Sequence, residues 1–413
     1  MYRMAEALDR LTRFEAWLFT ERRIRFYGLG VLVAYVIGLA VKSFWHIWLF
    51  QENGKPLCTD FGTLWVTGIF AGSNDPAGMY DDSAWAAAWK SLTGLDGCLL
   101  AQGPYSYPQN LYPPLLLFFT YPLAFMPYAA AFATWTVATL LLYLVAIYLI
   151  VPRPIAILAA LSPFPVFFNF FLGQNGFLLA GLIGLSLVLM ERRPRLSGIL
   201  LGLLTFKPQF GILFPFALLA SRKWRVIGSA IATSVVLIIT SAFVFGYQGW
   251  SSFIHTLVNR GPNLGMRLES VYGFLWSAGV GPSIAWTMHL AVAGAVTVVV
   301  WWLWARPLPQ TLKAAGLCST AALATPYVHG HDLCIMAVAV AFLVTDGLER
   351  GFLPGDRLIM LFSWIVLFLG FRDFTSGWIP CLALLALVVR RSRYRTSSLQ
   401  STREDRSRLR ILL

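Results

Sequence analysis

Charge is what this chain lacks. Of its 413 residues only 12% are Asp, Glu, Lys or Arg, about half the share of an ordinary soluble chain, so it cannot clothe a water-facing surface. That scarcity excludes a soluble enzyme and a disordered chain. Five cysteines are too few for a secreted disulfide scaffold of this length. Also missing are a Walker A loop, a Gly-rich dinucleotide motif, a clear internal repeat and a soluble nucleotide-sugar domain. What is abundant is apolar: 58% of residues are hydrophobic and 15% aromatic, with mean hydropathy +0.67. The composition specifies an all-α polytopic membrane protein. At roughly 20 residues per span there is material for about ten to twelve transmembrane or re-entrant helices.

The formal net charge is +13, but its distribution excludes nucleic acid as a partner. Arg22, Arg23 and Arg25 precede the first apolar run; Arg192, Arg193 and Arg195, then Arg222, Lys223 and Arg225, punctuate the middle; Arg390, Arg391, Arg393 and Arg395 follow the last. This is positive-inside patterning. It predicts both termini in the cytoplasm, with residues 1–25 a polar, uncleaved lead-in and 391–413 a basic disordered tail on the inner leaflet.

Phe26–Phe50 reads as the first span, delivering residues 51–110 to the outside as one large loop. Glu52, Asp60, Asp75, Asp81, Asp82 and Asp96 stand there against only Lys55 and Lys90, a composition that is easily translocated. From Arg225 onward the parity is regular: spans are expected at Val226–Phe245, Pro282–Ala305, Ala314–Tyr327, Leu333–Thr345, Leu358–Gly370 and Ile379–Val389. Between them one of the runs Leu111–Pro152 and Pro154–Met190 must cross an odd number of times. Ser197–Ala220 is flanked by basic residues on both sides and must enter and return. The sequence predicts two short helices there, broken at Lys207-Pro208.

With this topology the unusual polar residues fall on one side. Asp60, Lys207, His329, His331, Asp332, Arg372 and Asp373 lie at outer span ends or in outer loops, and the Gly173-Gln174-Asn175-Gly176 turn joins them if it is an outer tip. Charges of both signs at one membrane face suit an amphiphilic substrate with its polar head at that face. Each residue also has a plainer reading. Asp60 could cap a helix starting near Phe61, Lys207 could snorkel or pair with a structural carboxylate, and Gln174 and Asn175 could cap a hairpin.

Asp60-Phe61, Gly78-Met79-Tyr80-Asp81, Tyr112-Pro113-Pro114-Leu115, Gly173-Gln174-Asn175, Gly202 to Lys207-Pro208, Thr325-Pro326-Tyr327 and His331-Asp332-Leu333 occur in that order. In this succession the chain resembles glycosyltransferase family 87, over about residues 30 to 390. The family includes polyprenol-phosphate-mannose-dependent mannosyltransferases of bacterial glycolipid synthesis. The resemblance implies a GT-C fold in the bacterial plasma membrane, with the active site at the outer face. It also implies a polyprenyl-phosphate sugar donor, a glycolipid or glycan acceptor, and an acidic catalyst in the first outer loop.

The residues suit that chemistry. Displacing polyprenyl phosphate from an anomeric carbon, with inversion, needs a base for the acceptor hydroxyl and donors for the leaving phosphate. Asp60 is the expected base. Lys207, Arg260, Arg267 and Arg372 are the phosphate candidates, and Gln174, Asn175, His329, His331 and Asp332 line the expected sugar or acceptor pocket. No cofactor is expected. His329 and His331 at i, i+2 would diverge by about 200° on a helix, so no metal site is expected either. Cys58 and Cys98, both in the outer loop, form the one candidate disulfide. The rival reading is a transporter or lipid flippase, which inverted repeats and access from both faces would mark.

Overall fold

The computed structural model describes residues 2–57, 59–95, 111–260, 267–369 and 375–411. Cys58, Cys98, Arg372 and Asp373 lie outside the described residues. No β-strand occurs among those described, and the protein is an all-α polytopic membrane protein.

The chain opens with α1 (Tyr2–Leu18) and α2 (Glu21–Phe44), then α3 (Asp60–Ala71) and α4 (Asp82–Thr93) in the first loop. Residues 114–125 form short helical turns that include α5 (Leu117–Thr120), and α6 (Tyr128–Ile150) follows. Next come α7 (Pro154–Leu161), α8 (Phe164–Leu172), α9 (Gly176–Leu189), α10 (Pro194–Leu203), α11 (Phe214–Ala220) and α12 (Trp224–Val244). The remainder comprises α13 (Tyr247–Arg260), α14 (Val271–Ser277), α15 (Pro282–Ala305), α16 (Gln310–Ala324), α17 (Ile335–Arg350), α18 (Asp356–Leu369) and α19 (Trp378–Ile411).

Five described helices are long and apolar enough to cross a membrane: α2, α6, α12, α15 and Gly330–Arg350, which is α17 with its leading turn. A sixth arises if α7 and α8, bent by 69°, are one broken span. The run from Leu111 to Pro152 thus holds one helix of crossing length, α6, because Pro113, Pro114, Pro122 and Pro127 break up its first part. Ser197–Ala220 is interrupted as expected: α10 ends, 3-10 turns occupy Leu204–Phe206 and Pro208–Gly211, and α11 resumes. Pro208 has no amide hydrogen to continue a ladder across Lys207.

Lipid-facing helices ring a buried pair. Phe243 of α12 is 90% exposed and Val298 of α15 is 69% exposed, which only an apolar solvent tolerates over such a face. By contrast every residue of α9 from Gly176 to Leu187 is buried, as is every residue of α16 from Ala314 to Ala324. Lipid is as apolar as leucine, so close backbone approach and internal hydrogen bonds hold such helices together. A Cβ on Gly198 of α10 would meet Ser229 Oγ, and one on Gly202 would meet Thr233 of α12. Ser186 Oγ of α9 donates to Ser197 O at 3.0 Å.

Helices run past both expected ends of the membrane domain. The helix that carries the first span begins at Glu21, ahead of Phe26, because Thr20 caps it and accepts from Arg23 N at 3.4 Å. At the other end α19 continues without a break through residue 391 to Ile411, so the backbone of the expected disordered tail is helical there. Arg391, the first residue assigned to that tail, is buried. Its Nε donates to Asp346 Oδ2 at 2.8 Å, its Nη1 pairs with Asp356, and its Nη2 donates to Gly351 O at 3.0 Å.

Candidate active site

Four separate segments meet beside the N-terminus of α9. Thr59 is the N-cap of α3, accepting from Gly62 N at 3.4 Å and hydrogen-bonding Tyr128 OH at 2.9 Å. Asp60 is therefore not the cap: its carboxylate stands in the first helical turn, free to face the site. Gly173 ends α8 in the left-handed region at φ +65, and a Cβ there would run into Phe132 and the Cβ of Phe61. Gly176 lies against the carbonyl of His331, which a Cβ would reach at 2.1 Å. Only glycine at both ends lets the Gln174-Asn175 turn wedge between the Asp60-Phe61 corner and the His331 backbone.

Lys207 anchors the other side. Its ammonium pairs with Asp332 Oδ1 and donates to Asn175 Oδ1 at 2.9 Å. Asn175 Nδ2 donates to Tyr112 OH at 2.7 Å, and Tyr112 OH in turn donates to Gln174 Oε1 at 3.4 Å. Gln174 Oε1 also accepts from Asn175 N at 3.2 Å, which leaves the Gln174 amide to hydrogen-bond the Asp60 carboxylate. Burial raises the Asp60 carboxyl above its ordinary range, against the lowering effects of that hydrogen bond, His329 and Lys207. The residue nevertheless keeps partial solvent access, whereas Asn175, Lys207, His331 and Asp332 are buried. Tyr112 is likewise pushed up by burial.

The histidines do not diverge. His329 is extended (φ −100, ψ 162) and Gly330–Cys334 is a 3-10 turn, so the α-helical spacing assumed for an i, i+2 pair does not apply. Their rings stack at 5.4 Å with planes 3° apart. His329 N donates to Asp332 Oδ2 at 3.1 Å. His331 Nε2 lies 3.5 Å from Asp332 Oδ1 and has no hydrogen-bond partner among the described residues. His329, His331 and Asp332 bring ligand atoms within 4.8 Å of one another, but the Lys207 ammonium already occupies the Asp332 oxygen nearest His331. That cation opposes a divalent ion at the same carboxylate.

Asp60, Gln174, Asn175, Lys207, His329, His331 and Asp332 thus form one cluster. Arg267 is set aside from it, half-exposed and bonded through Nε to Glu269 Oε1 at 3.1 Å. Its segment still touches the site wall, since Glu269 N donates to Val328 O at 2.7 Å. Glu269 also accepts from Ser376 N and Gly377 N, both at 3.0 Å. Arg260 ends α13, its side chain outside the described residues. Tyr112 is the member of the cluster to which the sequence assigned no role. Its position directly before Pro113-Pro114 at the mouth of an apolar run was the available signal.

The family model for glycosyltransferase family 87 matches residues 110–326, more than half of the 413-residue chain. The matched stretch contains Tyr112, Gln174, Asn175, Lys207 and Arg267; Asp60 and the His329–Asp332 segment fall outside it. No match was found among curated proteins or among solved structures.

Proposed function

Because the chain belongs to glycosyltransferase family 87 and is a membrane glycosyltransferase, we propose that it moves a hexose, mannose in the first instance, from a polyprenyl-phosphate donor. The acceptor is a glycolipid or glycan hydroxyl at the outer face of the bacterial plasma membrane, and both termini lie in the cytoplasm. Residues 26–390 make up the catalytic domain. The observation that carries this reading is Asp60: among the described residues it has no salt bridge, it keeps solvent access, and it sits in a cluster whose other carboxylate, Asp332, is already neutralised by Lys207.

In the reaction Asp60 takes the proton of the acceptor hydroxyl as that oxygen attacks the anomeric carbon from the face opposite the phosphate. The C–O bond to polyprenyl phosphate breaks, and the sugar is transferred with inversion. A carboxylate beside the reacting carbon also favours the oxocarbenium character of the transition state. Asn175 and Asp332 use two of the three N–H donors of Lys207, so one remains for the leaving phosphate. Arg260, Arg267 and Arg372 complement it. Gln174, Asn175, His329 and His331 line the sugar and acceptor pocket.

The test incubates purified protein with a panel of polyprenyl-phosphate sugars and a membrane glycolipid extract, and reads products by mass spectrometry. Hexose transfer with release of polyprenyl phosphate supports the proposal. Transfer only from nucleotide sugars, or movement of intact lipid across the bilayer without transfer, overturns it.

A further inference from the structure

At the opposite end of α2 from the first loop, the turn joining α1 to α2 encloses an open cavity of about 650 Å³ lined by Trp17, Thr20, Arg22, Arg23, Phe26 and Tyr27. The corner is built rather than frayed. Arg23 stacks its guanidinium 3.5 Å from the centroid of the Trp17 ring and donates through Nη1 to Trp17 O. Thr20 Oγ accepts from Arg23 N. On its other side α1 is fastened by Glu15, which is buried and accepts from Gly355 N and Leu358 N, both at 3.1 Å, ahead of and within the first turn of α18. The corner is therefore held from two sides, by Arg23 of α2 and by the start of α18.

Arg25 is paired with Glu21, but Arg22 has no ion-pair or hydrogen-bond partner among the described residues. The bond Arg23 makes is to a neutral carbonyl, so neither positive charge in the cavity is neutralised. Directly above lies an exposed apolar face: Phe26, Tyr27, Leu29 and Val33 of α2 are 74%, 56%, 55% and 57% exposed. Two uncompensated guanidiniums and a hydroxyl thus open at the foot of a lipid-facing helix, with an indole at the boundary. A guanidinium binds the two free oxygens of a phosphodiester through parallel N–H donors. The volume suits one small headgroup.

We propose that this corner is a binding site for the phosphodiester headgroup of an anionic phospholipid, its acyl chains lying along the exposed face of α2. The leaflet concerned is the one bearing the N-terminus. It is the inner leaflet under the orientation proposed above, and binding itself depends neither on that orientation nor on transferase activity. Occupied, the site ties the α1–α2 corner to the bilayer surface, while Glu15 ties α1 to α18.

The experiment titrates full-length protein in phosphatidylcholine nanodiscs with phosphatidylglycerol and counts bound phosphatidylglycerol by native mass spectrometry after extraction. Each arginine near an anionic surface is worth about fivefold in binding, so Arg22→Gln with Arg23→Gln should weaken retention about 25-fold. Arg22→Lys with Arg23→Lys should retain most of it, because both charges remain. Arg192→Gln with Arg193→Gln removes two exposed charges from another basic segment, and binding should stay within about twofold of wild type. Equal losses in the two glutamine pairs would reduce the effect to diffuse attraction, and no retention by wild type would exclude the site; either result overturns the proposal. Displacement of phosphatidylglycerol by an equal concentration of inorganic phosphate would also overturn it, in favour of a free-anion site. The binding assay involves no turnover, so its outcome is separate from that of the transferase test.

Discussion

Two buried clusters of charge sit at different levels of the same helical bundle, and they are finished differently. Around α16 to α19, Asp346 and Asp356 meet three guanidiniums, from Arg350, Arg390 and Arg391. Thr311 Oγ and the amide of Leu353 take up further carboxylate lone pairs. Beside α9, Asp332 has its lysine, but among the described residues Asp60 has no cation of its own and His331 Nε2 has no hydrogen-bond partner. A buried network whose members are all satisfied fixes geometry and has nothing left to offer a ligand. One with a spare carboxylate and a spare imidazole nitrogen bears an electrostatic cost that an incoming substrate can relieve.

The sharpest way to break that comparison is to neutralise the spare charge. Asp60→Asn should lower turnover by about 10² to 10⁴ while the thermal unfolding midpoint stays the same or rises, since it removes a desolvated carboxylate. Near-normal transfer by this variant would move the base elsewhere. Lys207→Met should damage both properties. It leaves Asp332 buried and unpaired at a cost of about 3–5 kcal/mol, and it removes the proposed phosphate donor. The double variant Lys207→Met with Asp332→Asn should recover most of the stability, read by thermal denaturation, and little of the turnover. Recovery of both would make the pair purely structural.

Arg391→Met tests the saturated cluster. It should cost a similar 3–5 kcal/mol, but kcat measured per folded molecule should stay within about threefold of wild type. A large loss of kcat without loss of folded protein would erase the distinction between the clusters. Smaller is the pH effect of Asp60. Because its carboxyl is raised in the folded state, the folded protein binds that proton more tightly than the unfolded chain. Wild type should therefore gain stability relative to Asp60→Asn as pH falls from the raised value toward the ordinary aspartate value, while losing turnover over the same interval. Parallel stability curves for the two proteins would contradict the burial of Asp60. Tyr112→Phe should have the smallest effect, about 0.5–1.5 kcal/mol of stability for its hydrogen bonds to Asn175 and Gln174 and up to about tenfold in turnover, measured on the same donor panel.

Much of the site could be read before the fold was known, because membrane insertion imposes a coarse geometry on sequence. Basic segments mark one side, apolar runs have a minimum length, and polar residues that fit neither rule accumulate at run ends. That reasoning reached Asp60, Gln174, Asn175, Lys207, His329, His331 and Asp332, and it located the break at Lys207-Pro208. It failed where local backbone mattered. The two histidines stack instead of diverging, because an extended residue and a 3-10 turn replace the assumed helix, and only the backbone showed that Thr59, not Asp60, caps α3, which removes the plainer reading of Asp60.

The sequence by itself determined the class of this protein and reached most of the polar residues that meet beside α9, since scarcity of charge, run length and basic punctuation are one-dimensional quantities that a bilayer reads directly. Only the tertiary structure decided who partners whom. Lys207 and Asp332 are 125 residues apart, and Asp346 and Arg391 are 45 apart. A carboxylate looks the same in sequence whether a guanidinium or open space will face it. That difference arises when helices close on one another, and here it separates the charges that hold the bundle from those that face the site.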